Sequence, residues 1–286
     1  IRDRSPSRGL GDVYKRQGES VAYLTDAPTY AGFLARASLA HHASIYSIEM
    51  DAHGPLPKVF RNQIHRARND GNFVPFYYTV PDGHNPAGFS FSVERRQEIL
   101  DIACEEGILI VEDAPYVYIS FADPSARPKP FVSMDPKQSV HLFTGSKIGL
   151  PGPRIVFAYS DATIQIADQV EIGLTDLLLT ESSADILFQN PQALRAFQSL
   201  LHEDNGDLSK SLWPVANKKL EIYAENRGIV LDGLQEHLGK YHDYFSWTIP
   251  EAGFFTVFTF KKGGIRTDDA FIEWLVSEHG VGVVPM

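Results

Sequence analysis

Ser92 to Asp113 reads SVERRQEILDIACEEGILIVED, and this stretch decides the fold. Apolar residues recur at helical spacing from about Val93 to Glu106. Ser92 is placed to accept a hydrogen bond from a first-turn N–H, and Gly107 is placed to end the helix in the left-handed conformation. Immediately afterwards Ile108 to Val111 is hydrophobic at every position. A strand with no polar face is covered on both sides, as in the centre of a parallel sheet. Cys104 reads as lying on the apolar side of this helix, as inert core.

Working outward, the same alternation recurs. A strand is expected at Val21–Leu24, then a helix running towards His41, a strand at Ala43–Ile48, a helix at Lys58–Asn69 and an apolar run at Phe73–Tyr78. The loop PDGHNPAG, Pro81 to Gly88, comes before the quoted helix. Ser139–Phe143 and Ile155–Tyr159 read as two further buried strands. Strands alternating with helices imply an α/β doubly wound, mostly parallel sheet. Beyond Tyr159 the chain reads as mainly helical, with helices expected at Asp161–Leu179, Ala184–His202 and Leu208–Leu238, and Pro214 as a kink or boundary in the last. Then come Phe245–Ile249, Phe254–Phe260, a helix at Asp268–Glu278 and a final run at Val281–Val284, together a smaller α+β unit. The division expected is a leader at 1–17, a large domain at 18–210, and a linker helix with a small domain at 211–286.

Composition narrows the class. The 286 residues allow a sizeable core, and 43% are hydrophobic, the proportion of an ordinary globular protein. The net charge is −10 and no basic block stands out after the first residues, which disfavours nucleic-acid or anionic-membrane partners. One cysteine excludes an intrachain disulfide and fits a reducing compartment, so a cytoplasmic location is the default expectation. No apolar run approaches the length that crosses a bilayer, and no metal site is expected. Ile1 to Gln17, IRDRSPSRGLGDVYKRQ, has no periodicity and reads as a disordered or foreign leader.

In a doubly wound sheet, ligands bind beyond the carboxyl ends of the strands. Asn85 follows the run at Phe73, Asp113 and Tyr116 follow Ile108–Val111, and Lys147 follows Ser139–Phe143. All could meet in one crevice. Lys147 lies in Phe143–Arg154, FTGSKIGLPGPR. A lysine desolvated at such a junction becomes a nucleophilic amine able to condense with a carbonyl. Thr144, Ser146 and Arg154 are the residue types that hold an anionic phosphate beside it. The plain alternative is a glycine-rich turn carrying two solvated cations.

From about Gly18 to Met286 the chain resembles the class I/II aminotransferases, pyridoxal-phosphate enzymes of fold type I. The resemblance is carried, in order, by DAPTYAGF, PDGHNPAGFSFSVERR, VEDAPYVYI, SKIGLPGPRIVF and PEAGFF. It implies that Lys147 carries the cofactor and moves the substrate proton, and that Asp113 pairs with the pyridine nitrogen. It further implies that Tyr116 and Asn85 hold the phenolic oxygen, that Tyr30 stacks on the ring, and that Thr144, Ser146 and Arg154 bind the phosphate. Serine is usual where Thr144 stands. His84 matches no catalytic role in the family. The implied activity moves an amino group between an L-amino acid and a 2-oxo acid, in a homodimer, with branched, aromatic or adipate-like substrates.

Two parts of the pattern are not matched. Nothing in Ile1 to Gln17 resembles the family's N-terminal phosphate-binding turn, and the arginine that clamps the substrate carboxylate lies downstream of Val281. The expectation is an internal fragment of such an enzyme. A lyase or synthase on the same fold, or the effector domain of a transcriptional regulator, are the alternatives, because cofactor-holding residues do not fix the reaction.

Overall fold

A computed structural model of the chain describes residues 20–40, 43–167, 170–202, 206–209 and 211–284. The leader at 1–17 and the expected helix end at His41 lie outside these residues. A seven-stranded sheet organises the molecule, in the order β3-β2-β1-β4-β5-β6-β7. Its strands are β1 (Val21–Ala27), β2 (Ala43–Asp51), β3 (Gly54–Pro55), β4 (Phe76–Thr79), β5 (Leu109–Asp113), β6 (Ser139–Phe143) and β7 (Phe157–Tyr159). From β2 across to β6 all pairings are parallel, and only β3 and β7 at the two edges run antiparallel. The sheet is therefore the mostly parallel α/β sheet expected.

Helices cover both faces. On one face, α2 (Pro57–Asn69) and α3 (Val93–Glu106) bring Phe60, Ile64, Ala67, Ile99, Leu100, Ile102 and Ala103 onto Leu24, Ile48, Tyr77 and Ile110. Fully burying side chains of this size is worth about 1.5–3 kcal/mol each, so this layer holds much of the fold's stability. On the other face Leu109 and Val140 meet Ala162, Ile164 and Leu174, while Tyr78, Tyr116 and Ile148 meet Leu212 and Ala216.

The ends of α3 fall where the sequence puts them. Ser92 Oγ accepts from the Arg95 N–H at 3.2 Å, and Gly107 closes the helix with φ 62°. α1 (Ala31–Ala37) is shorter than expected, and Tyr30 is its N-cap residue. Cys104 corrects the sequence reading: it is exposed rather than core. Ile102 and Ala103 beside it take the buried positions, and the last turn of α3 carries Cys104 off the apolar stripe.

Past β6 the structure departs further. β7 is short, and all three of its residues are exposed, because an edge strand lacks the second cover of an interior one. After the short α4 (Phe131–Met134), the helix expected at Asp161–Leu179 is instead β8 (Thr163–Ala167) paired antiparallel with β9 (Val170–Gly173), followed by α5 (Leu174–Ile186). Thr-Ile-Gln-Ile and Val-Glu-Ile-Gly alternate with period two, which is strand spacing. α6 (Pro191–Ser199) and α7 (Trp213–Leu238) replace the two longer helices expected, and Pro214 lies in the first turn of α7, where its missing N–H costs nothing. β10 (Phe245–Trp247) pairs with β11 (Phe258–Phe260) in a separate sheet, and Asp268 caps α8 (Asp269–His279). Val281–Val284 forms no strand and is exposed. Among the described residues no helix is long and apolar enough to cross a membrane.

Candidate functional site

Because β1, β4, β5 and β6 run parallel, their carboxyl ends share one edge of the sheet. Tyr30 follows β1, Asn85 follows β4, Asp113 ends β5 with Tyr116 just beyond, and Lys147 follows β6. Topology alone therefore gathers five of the residues singled out.

Asp113 is the electrostatic centre. Its Oδ2 accepts a hydrogen bond from the Tyr78 hydroxyl at 2.7 Å. Oδ1 takes no hydrogen bond from any described residue, and it is not sealed from solvent. Burial pushes the carboxyl above its usual range, opposed by the Tyr78 hydroxyl and by the charges of His141 and Lys147. A cation placed against Oδ1 would relieve that burial cost.

Tyr116 is buried, and its hydroxyl is held well above the usual phenol range by burial first and by the Asp113 charge second. The Asn85 side chain beside that hydroxyl works in the opposite direction. Lys147 closes a single 3-10 turn, Gly145–Lys147. Its Nζ lies 5.8 Å from the Tyr116 ring centroid and 5.6 Å from that of Phe254. No described carboxylate pairs with it, while its backbone carbonyl accepts from the Tyr223 hydroxyl at 3.0 Å.

Thr144 Oγ1 donates to the Ile155 carbonyl at 2.7 Å and accepts from the Ser146 N–H at 3.2 Å. Its one proton is thereby committed to the turn, so Thr144 has none left for a phosphate oxygen. Ser146 Oγ lies 2.9 Å from Thr144 Oγ1 and, with the Thr144 proton committed, donates to it; this hydroxyl can rotate to a phosphate oxygen. Arg154 is exposed, lacks a described ion-pair partner, and adopts a left-handed φ of 54°. That conformation costs a non-glycine residue roughly 1–2 kcal/mol. Tyr30 is 43% exposed, with its ring folded over Gly32, where a Cβ would collide with it.

The loop carrying Asn85 is fastened by groups that sequence reasoning passed over. Arg96 is completely buried and binds Asp82 Oδ1 at 2.7 Å, with further bonds to the carbonyls of Pro81, Phe91 and Lys129. His84, set aside from the sequence, is also fully buried. Its Nδ1 accepts from the Ala87 N–H, which puts the ring proton on Nε2, 3.2 Å from Asp26 Oδ2. Tyr77 and Thr79 donate to the same buried carboxylate. The loop also abuts the PEAGFF segment: a Cβ on Gly83 would stand 2.6 Å from the Gly253 nitrogen. This contact sets Phe254 near Lys147. Two tyrosines side by side in the run FYYT were the available signal for Tyr78, since buried hydroxyls need partners.

A parallel sheet with a lysine free of described carboxylates, a part-buried carboxylate with one open oxygen and a tyrosine beside an asparagine at its carboxyl edge is the arrangement of a fold type I pyridoxal-phosphate protein. The chain belongs to the family aminotransferase class I and II, whose sequence model matches residues 24–286. It is 29% identical over 275 residues to (S)-3,5-dihydroxyphenylglycine transaminase of Amycolatopsis orientalis, covering 95% of this chain and 58% of that protein. It is 26% identical to aromatic-amino-acid aminotransferase 1 of Thermococcus litoralis, covering 89% of this chain and 55% of that one. The chain thus spans a little over half the length of these curated relatives. In structure it resembles the kynurenine aminotransferase of Pyrococcus horikoshii, with a TM-score of 0.78, 24% identity, and coverage of 97% of this chain and 64% of that one.

The family's cofactor is pyridoxal 5'-phosphate, and the residues present fit it. Asp113 Oδ1 is an open, part-buried acceptor for a protonated ring nitrogen, and Lys147, unpaired among the described residues, is an amine for the carbonyl carbon. The Ser146 hydroxyl, by rotating away from Thr144, and the exposed Arg154 guanidinium are donors for the phosphate.

Proposed function

We propose that this chain carries the cofactor-binding core of a transaminase that moves an amino group between an L-amino acid and a 2-oxo acid. The unpaired Lys147 amine, set against Tyr116 and Phe254 and within the electrostatic reach of Asp113, supports this most directly. When bound, pyridoxal phosphate supplies an electron sink for the substrate carbon. Asp113 Oδ1 keeps the ring nitrogen charged. Tyr116 and Asn85 orient the ring oxygen, Tyr30 covers a ring face, and Ser146 and Arg154 hold the phosphate. Lys147 Nζ takes and returns the proton of the substrate Cα.

An aromatic substrate is supported by the rings of Tyr116 and Phe254 beside Lys147 and by the names of the relatives. The large and small domains at 18–210 and 211–286, a homodimer of the full-length enzyme and a cytoplasmic setting belong to the same proposal. The separate β10–β11 sheet supports the domain division.

The test is absorption spectroscopy of the purified chain with added pyridoxal phosphate, then borohydride reduction and peptide mapping. The expected result is a reduced pyridoxyl adduct on Lys147, lost entirely in Lys147→Ala. Adduct on other lysines alone, or none, would overturn the reading. Turnover that requires both an amino acid and an oxo acid separates a transaminase from a lyase.

A further inference from the structure

Tyr78 is absent from every role assigned so far, yet it makes the one hydrogen bond that a described residue gives to Asp113. β4 and β5 pair in parallel with Tyr78 opposite Val111, so Tyr78 and Asp113, two residues further along, project from the same face. The Tyr78 ring cannot swing away. It is only 6% exposed, and it stacks on Phe33 with centroids 4.0 Å apart and planes 2° from parallel. A carboxylate with one oxygen pinned this way loses its freedom to rotate, and its other oxygen is aimed.

We propose that Tyr78 is a positioning residue, holding Asp113 Oδ2 so that Oδ1 meets the ring nitrogen of the bound cofactor. The inference rests on the cofactor reading above. A hydroxyl donating to a part-buried carboxylate makes a charge-assisted bond, stronger than a neutral one, and it favours the ionised form. Burial and the Asp113 charge both drive the Tyr78 hydroxyl far above the usual phenol range, so it stays a donor at any working pH. The other titratable groups facing Asp113 are His141 from β6, Lys147 from the following turn and Tyr116 beyond β5. Among the described residues around it, Tyr78 alone is hydrogen-bonded to the Asp113 carboxylate.

Tyr78→Phe keeps the ring and its stack on Phe33, and thermal melting of the cofactor-free chain checks that it folds. Aspartate labelled with carbon-13 at the carboxyl, assigned with Asp113→Asn, then reports the Asp113 titration in the absence of any cofactor. Loss of the hydroxyl should move that titration to higher pH. Site-specific 3-fluorotyrosine at position 78, the same shape and a stronger donor, should move it lower. If Tyr78→Phe fails to fold, the fluorinated variant carries this arm by itself. Pyridoxal phosphate should bind Tyr78→Phe about three- to tenfold more weakly. The analogue with C–H in place of the ring nitrogen should lose no more than about twofold, because it offers Asp113 no proton. An unmoved Asp113 titration would overturn the inference, as would equal losses for the two compounds. A wild-type chain that binds neither compound would overturn the cofactor reading and the aiming of Oδ1 with it, while the titration still judges the bond itself.

Discussion

Two connections bring chemistry to the carboxyl edge of the sheet, and they are fastened in opposite ways. Pro81 to Phe91 presents Asn85 and is gripped from within by Arg96 and His84, both without exposed surface. Thr144 to Arg154 presents Lys147 and is held by its own hydroxyls, one tyrosine bond and a left-handed arginine. The first is a rigid bracket. The second keeps the amine on a short turn with no ion pair among the described residues to restrain it. An asparagine that orients needs immobility, whereas a lysine that must bond, release and carry a proton needs room. The contrast teaches that burial of polar anchors marks the holder and their absence marks the actor.

Breaking the bracket should cost most. Arg96→Met leaves Asp82 unpaired and strips donors from three backbone carbonyls, so a loss of about 3–5 kcal/mol is expected in urea unfolding. A loss under about 1 kcal/mol would mean the loop is held elsewhere. On the lysine turn, Thr144→Val removes the cap and the donor to Ile155, for a loss of about 1 kcal/mol by the same measurement. Tyr223→Phe removes one hydrogen bond from the Lys147 carbonyl, a smaller change of about 0.5–1 kcal/mol. If either turn variant matched Arg96→Met, the contrast would collapse.

Asp113 sharpens the comparison through pH. Its carboxyl is raised by burial in the folded chain, so the stability it contributes is full below its unfolded value and is lost as pH rises through the folded one. Asp113→Asn cannot ionise, and the cofactor-free variant should be the more stable of the two at neutral pH, by a margin that vanishes in acid. Unfolding curves at several pH values check this. The same variant should retain pyridoxal phosphate less well, which separates folding from use.

Much of the bracket's surroundings was legible in the sequence because the signals were local. Ser92 and Gly107 bound α3 through contacts within a few residues, and Asn85, Asp113 and Lys147 stand out by following strands. What stayed hidden depends on distant partners. Tyr78 reaches Asp113 across 35 positions, and His84 reaches Asp26 across 58. No periodicity encodes such pairings. Cys104 and β7 were misjudged for a related reason: apolar spacing says which side faces inward, not where the cover ends. The hairpin of β8 and β9 was visible in its alternation, but the helical texture around it weighed more.

The abutting glycines Gly83 and Gly253 also set a clock on how the molecule can be made. They are 170 positions apart, so a nascent chain exposes the Asn85 loop long before its neighbour exists. At about 5–20 residues per second the wait is on the order of ten to thirty seconds. Over that interval Arg96 and His84 are the groups available to keep the loop shaped. The anchors and their partners all precede Gly253 in the chain, so every group of this seat is made before the segment that fills it.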